Sequence, residues 1–188
     1  MGDRLRVGAL HPNPSSKPTD RGLARDLLPV LALGAGAALL AGAFRWPLHV
    51  PGHQGLTLMA MLMFARCAWP RRWGATVFAL GAMAVASTPL VHGHDPLVPL
   101  YYLTVGIAVD LLMGMPARLR RHGAVLGLVG ALAYAAKALL QWSLALRLGT
   151  VHAFAAFPFV HVLLAHLVFG FVGALVGAWA GTRTRHNL

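Results

Sequence analysis

Phe44-Arg45-Trp46-Pro47-Leu48-His49-Val50-Pro51-Gly52-His53-Gln54-Gly55 is the stretch on which the reading of this chain turns. It separates two strongly apolar runs and carries two histidines, an arginine, a tryptophan and two prolines. Proline fixes φ and has no N–H to donate, so neither Pro47 nor Pro51 suits a helix interior. The stretch therefore reads as a stiff, folded link between helices. The apolar run after it, Leu56 to Trp69, falls short of the roughly 20 residues that cross a bilayer upright. A helix that short relies on the preceding link folding into the membrane, where protein or a wet cavity must cover the non-helical backbone.

Working outward, the chain of 188 residues is 57% hydrophobic and only 11% charged. A soluble domain carries roughly 25% charged residues. The mean hydropathy of +0.65 agrees with a polytopic membrane protein. Residues 1–25 are polar, with Pro12, Pro14 and Pro18 close together, and read as a flexible tail. No secretory signal is expected, because the first apolar run starts near Asp26 and is too long. Six apolar spans follow within residues 26–182: Leu27–Phe44, Leu56–Trp69, Gly74–Val91, Leu97–Met115, Gly123–Leu146 and Phe157–Ala180. A short basic C-terminus covers 183–188. The expected fold is all-α, a six-helix membrane bundle with a short second helix.

Charge sets the expected orientation. Arg4, Arg6, Lys17, Arg21 and Arg25 in the tail share one side with Arg66, Arg71, Arg72, Arg118, Arg120, Arg121, Arg183 and Arg185 in the links. Only Arg45 and Arg147 fall on the other side, and Lys137 lies within a span. Thirteen against two is a strong positive-inside bias, which puts both termini in the cytoplasm. The net charge of +11 is thus distributed as membrane topology requires, and no nucleic-acid partner is expected. The predominance of Arg over Lys, with abundant Ala, Gly and Leu, suggests a bacterial inner-membrane protein from a GC-rich genome.

This orientation places His49, His53, His92, His94 and Asp95 on the outer side. His49-x-x-x-His53 and His92-x-His94-Asp95 have metal-ligand spacing, and neutral imidazole suits Zn²⁺, Cu²⁺, Ni²⁺ and Co²⁺. The alternative is that these are interfacial histidines that never meet. With Arg45, Trp46 and Tyr102 they form the candidate solute-binding set; Trp46 also suits an interfacial anchor. Inside the spans lie Asp110, Lys137, Gln141 and His166. Ionisable groups there are costly and face partners or cavities. Tyr102, Gly106 and Asp110 share one helix face, as do Tyr134, Lys137 and Gln141. An Asp110–Lys137 pair is expected, either as the floor of an outer cavity or as a lock between helices. His166 heads a stripe through Gly170, Gly173, Gly177 and Gly181, a close-packing signal. Gly34, Ala38 and Gly42 form a second small-residue face.

An enzyme is not expected. The chain has no glutamate, no Walker loop, no Gly-x-Ser-x-Gly and no His-Glu-x-x-His. Its single cysteine, Cys67, excludes an internal disulfide and a CxxC motif. No organic cofactor is expected, and a transition metal is the one ion the histidines suggest.

Three stretches carry a resemblance: Pro47 to Gly55; Asp95-Pro96-Leu97-Val98-Pro99-Leu100-Tyr101-Tyr102-Leu103 onward to Asp110; and His161 to Gly170 leading into the glycine stripe. With six spans, a polar outer stretch and no ATPase motif, the chain resembles the substrate-binding S component of energy-coupling factor (ECF) transporters. The resemblance implies capture of a small solute such as a vitamin, or of a metal ion, at the outer face. It also implies docking on a transmembrane T subunit driven by two ATPases, with Gly34, Ala38 and Gly42 as the docking face. The chain departs from the nickel/cobalt branch, which ligates metal through a histidine beside the initiator methionine; residue 2 here is Gly2. Two other classes remain in view: a histidine-based metal-binding or metal-transport protein, and a non-catalytic assembly subunit of a membrane complex.

Overall fold

The computed structural model describes residues 20–43, 52–88, 96–149 and 158–186, with backbone alone for 20–26 and 186. Among the described residues the chain is all-helical. Six α-helices are present: α1 Asp20–Ala43, α2 Gln54–Ala68, α3 Gly74–Ala86, α4 Val98–Leu112, α5 Gly123–Leu148 and α6 Phe159–His186. A 3-10 turn, Leu119–Arg121, precedes α5. Two helices, α5 and α6, are long and apolar enough to cross a membrane. The apolar parts of the other four are shorter, including Leu27–Ala43 of α1.

Local chemistry explains most of the ends. Proline at the first turn starts α4, where its missing N–H costs nothing. Pro116 lies beyond the turn that closes α4, and α5 stops at Gly149 in the left-handed conformation, φ 69°. The α3 helix ends as Ser87 and Thr88 turn their hydroxyls back onto the Met83 and Val85 carbonyls. Both termini of the helical region run further than expected. The α1 helix begins at Asp20, inside the stretch read as a tail. The α6 helix continues to His186, with Thr182 and Thr184 bonded to the Ala178 and Ala180 carbonyls and Arg183 stacked 4.1 Å over Trp179.

Neighbours follow a closed circuit, α1–α2–α6–α5–α4–α3 and back to α1. The α2 helix also touches α3 and α5 across the circuit, so this 15-residue helix is the most central. Its Leu58, Met59, Leu62, Met63 and Arg66 are buried. The α2–α6 contact is made by the glycine stripe. A Cβ on Gly173, Gly177 or Gly181 would meet the backbone of Leu56, Ala60 or Phe64 in turn, so the two helices run parallel one backbone against the other. The same device joins α1 to α3: Gly34 lies against the Phe78 carbonyl and Gly81 against the Leu31 carbonyl. Gly34 and the fully buried Ala38 are therefore used inside the chain, so a face built on them is not open for docking.

Large apolar side chains point the other way. Leu128, Leu132, Leu139 and Leu146 of α5 are exposed, as are Val160, Leu164, Val168, Val172 and Val176 of α6. The interior between helices is rich in alanine and glycine instead. The exposed face of α6 from Val160 to Val176 runs about 24 Å at 1.5 Å per residue, most of the roughly 30 Å of a hydrocarbon core.

Candidate functional site

The helices meet polar groups at two levels. At one level α2, α4 and α6 end while α3 and α5 begin, and here stands Asp110. Its carboxylate accepts from Arg66 Nε at 2.9 Å, from the Thr76 hydroxyl at 2.8 Å, and from the backbone N–H of Thr76 and Ala75 at 2.7 and 3.3 Å. Arg66 is 4% exposed and Asp110 6%. Trp73 at the α3 N-cap makes no side-chain cap bond, so Asp110 supplies the cap from another helix. The carboxylate thus compensates both the Arg66 charge and the positive end of the α3 dipole.

This corrects the expected Asp110–Lys137 pair. Asp110 does lie a full helix length from the start of α4, but α4 is only 15 residues long, about 22 Å. Asp110 is in its last turn, and not at mid-depth. A usable signal was present: Arg66 and Asp110 each lie in the last third of an apolar run, toward the side where the basic residues collect.

At the other level, Lys137 and Gln141 of α5 face Tyr101, Tyr102 and Val98 of α4 and Gln54 and Leu58 of α2 around a cavity of about 110 Å³. The predicted faces of α4 and α5 therefore do meet, through Tyr102, Lys137 and Gln141. Lys137 Nζ is 3.5 Å from the Tyr134 hydroxyl and 5.0 Å from the centre of its ring. Behind the lysine, Tyr134 stacks on His166 with ring centres 4.6 Å apart. His166, 5% exposed, has Nδ1 2.8 Å from the Val162 carbonyl. A carbonyl only accepts, so Nδ1 carries the proton. His166 thus belongs to the wall behind the cavity. Tyr101, Gln54 and Leu58 carry no sequence signal of their own; Gln54 lies within the decisive stretch, and Tyr101 adjoins Tyr102.

The described part of that stretch is Gly52 to Gly55. Gly52 has φ 81°, a left-handed conformation that favours glycine. A Cβ there would also approach His166 Nδ1 to 2.9 Å. Its carbonyl accepts from Gly55 N–H at 2.8 Å, closing a turn into α2. His166 is seven residues into α6, about 10 Å along its axis. The link therefore enters between the helices before α2 starts, which explains why α2 is short. His53 stands at the α2 N-cap without a side-chain cap bond. Arg45, Trp46, His49, His92, His94 and Asp95 lie outside the described residues. Among the described residues no group of three or more His, Cys, Asp or Glu is placed to hold a metal ion.

What the cavity can do follows from its donors and its size. An ammonium, two amides and two phenols line one small volume, a donor-rich set suited to an anionic or hydrogen-bonding group. Drug-sized ligands need pockets of roughly 300–1,000 Å³, so about 110 Å³ takes the polar head of a solute and not a whole vitamin. Compared with protein family models, curated proteins and solved structures, the chain matches none.

Proposed function

We propose that this chain is a multi-pass protein of a bacterial inner membrane that captures a small solute from the outer side, in the manner of an ECF S component. The observation that carries the reading is the cavity in which Lys137 and Gln141 face Tyr101, Tyr102 and Gln54. An intramembrane lysine is costly unless it serves a partner or a ligand. The solute class this favours bears a carboxylate or phosphate that meets Lys137. The outward-facing Leu and Val of α5 and α6 support burial in lipid, because a water-soluble chain would turn such residues inward. The thirteen-to-two distribution of basic residues supports six spans with both termini cytoplasmic, and it puts the cavity near the outer face. Docking on a T subunit with its two ATPases belongs to the same proposal, but through a face other than Gly34 and Ala38.

The test is a native mass spectrum of the full chain purified in mild detergent, beside Lys137→Met. The expected result is a bound small anionic solute in the parent protein and its loss, at least tenfold, in Lys137→Met with unchanged circular dichroism. Equal retention by both proteins would place the solute elsewhere. If the parent carries no solute and gains no thermal stability from a panel of carboxylate- and phosphate-bearing solutes, the capture reading fails.

A further inference from the structure

A second cavity lies at the opposite level, where the arginines collect. It measures about 240 Å³ and is lined by Arg66, Arg120, Arg121, Arg185 and Thr182 beside apolar neighbours. No carboxylate among the described residues lines it. Arg66 is already compensated by Asp110 at 2.9 Å. The Nε of Arg120 is buried with no hydrogen-bond partner among the described residues. Such a donor is destabilising unless something accepts from it.

A groove of about 760 Å³ continues from this cavity along the side of the molecule. The two share Arg120, Arg121, Leu126 and Thr182. The groove runs between α5 and α6 over Leu175, Val176 and Trp179. Val176 and Trp179 are more than half exposed, so it opens outward. Arg183 stacked on Trp179 holds the indole at its edge. A cationic pocket joined to an outward apolar groove matches one amphiphile, with a phosphate in the pocket and an acyl chain in the groove. Guanidinium forks suit phosphate oxygens, and basic pockets between membrane helices on the cytoplasmic side hold anionic head groups.

We propose that α5, α6 and the Leu119–Arg121 turn form a binding site for an anionic phospholipid of the inner leaflet. The inference rests on the membrane orientation proposed above and is independent of solute capture. Phosphate oxygens accept from Arg120 and Arg121, Arg185 adds charge from the end of α6, and one acyl chain follows Leu175 and Trp179.

The experiment is native mass spectrometry and thermal unfolding of the delipidated full chain in detergent, titrated with phosphatidylglycerol, phosphatidylcholine or inorganic phosphate. Expected are one retained phosphatidylglycerol, a rise in melting temperature with that lipid alone, and at least a tenfold loss of retention in Arg120→Gln/Arg121→Gln. Arg72→Gln should retain the lipid as the parent does, and Arg120→Lys/Arg121→Lys should keep part of the binding. If the glutamine variant does not fold, Trp179→Ala is read in its place and should weaken phosphatidylglycerol at least threefold. Equal retention of phosphatidylcholine would overturn the proposal, as would equal loss in Arg72→Gln or equal stabilisation by inorganic phosphate. A reporter fused after Leu188 that works only outside the cytoplasm would remove the orientation on which it rests. Loss of solute capture with intact lipid binding would sink only the earlier reading.

Discussion

The two levels at which polar groups enter this bundle solve the problem of buried charge in opposite ways. At the arginine-rich level, Asp110 is saturated: it accepts from Arg66, from Thr76 twice and from Ala75. Helices α2, α3 and α4 all depend on that one carboxylate. At the other level, Lys137 stands against a tyrosine ring on one side and a cavity on the other. The partners of Asp110 are protein donors alone, whereas Lys137 also borders a volume that the proposed solute would enter. The difference teaches which ionisable residue to perturb for stability and which for binding.

The largest expected effect breaks the arginine-rich level. Asp110→Asn leaves Arg66 as an uncompensated buried charge and weakens the cap on α3. Removing one partner of a buried pair costs about 3–5 kcal/mol, so the variant should unfold at a markedly lower temperature or fail to accumulate. Arg66→Met combined with Asp110→Leu removes both charges and should recover a large part of that loss, since apolar replacement of a whole buried pair is often neutral. A double-mutant cycle read by thermal unfolding measures the coupling; strict additivity would show that the pair does not act as one unit.

The same comparison shows what could be read from sequence. The six helices were legible because each is an apolar run ended by proline, glycine or arginine. The stripe Gly173–Gly177–Gly181 announced a close contact, but not its partner. Its complement on α2 is the bare backbone of Leu56, Ala60 and Phe64, and backbone leaves no mark in composition. Likewise Gly34 and Ala38 gave a small-residue face, which three-dimensional packing spends on α3. Asp110 and Lys137 both lie inside apolar spans, and sequence spacing does not show that α4 stops two residues after Asp110. Helical spacing alone puts Tyr102, Lys137 and Gln141 on the faces that meet around the cavity.

An intermediate effect is expected where the link enters between the helices. Gly52→Ala forces a side chain into a left-handed backbone, φ 81°, and against His166. Strain of this kind costs about 1–3 kcal/mol. The melting temperature should fall, by less than in Asp110→Asn, and the Tyr134–His166 stack should loosen. Protease resistance of the 52–58 segment, read by limited proteolysis, checks the location: unchanged protection would show that Gly52 does not hold the link against α6.

The smallest stability effect is expected at Lys137, and it separates the two levels most sharply. Lys137→Met keeps the length of the side chain and removes the ammonium. It forfeits a cation–π contact with Tyr134, worth about 0.5–2 kcal/mol. In the proposed membrane setting it also relieves the cost of holding a charge in lipid, at most about 2.5–3.5 kcal/mol, the insertion-scale value for a lysine at a helix centre. The terms oppose each other, so the melting temperature should move by only a few degrees, and upward where relief dominates. A group retained for the fold would behave as Asp110 does, with a large loss on removal. The measurement is thermal unfolding of Lys137→Met beside Asp110→Asn in the same detergent. A fall for Lys137→Met as large as that for Asp110→Asn would make the lysine a structural charge and dissolve the distinction between the levels. A small change in stability joined to loss of solute would mark Lys137 as a residue kept for its ligand.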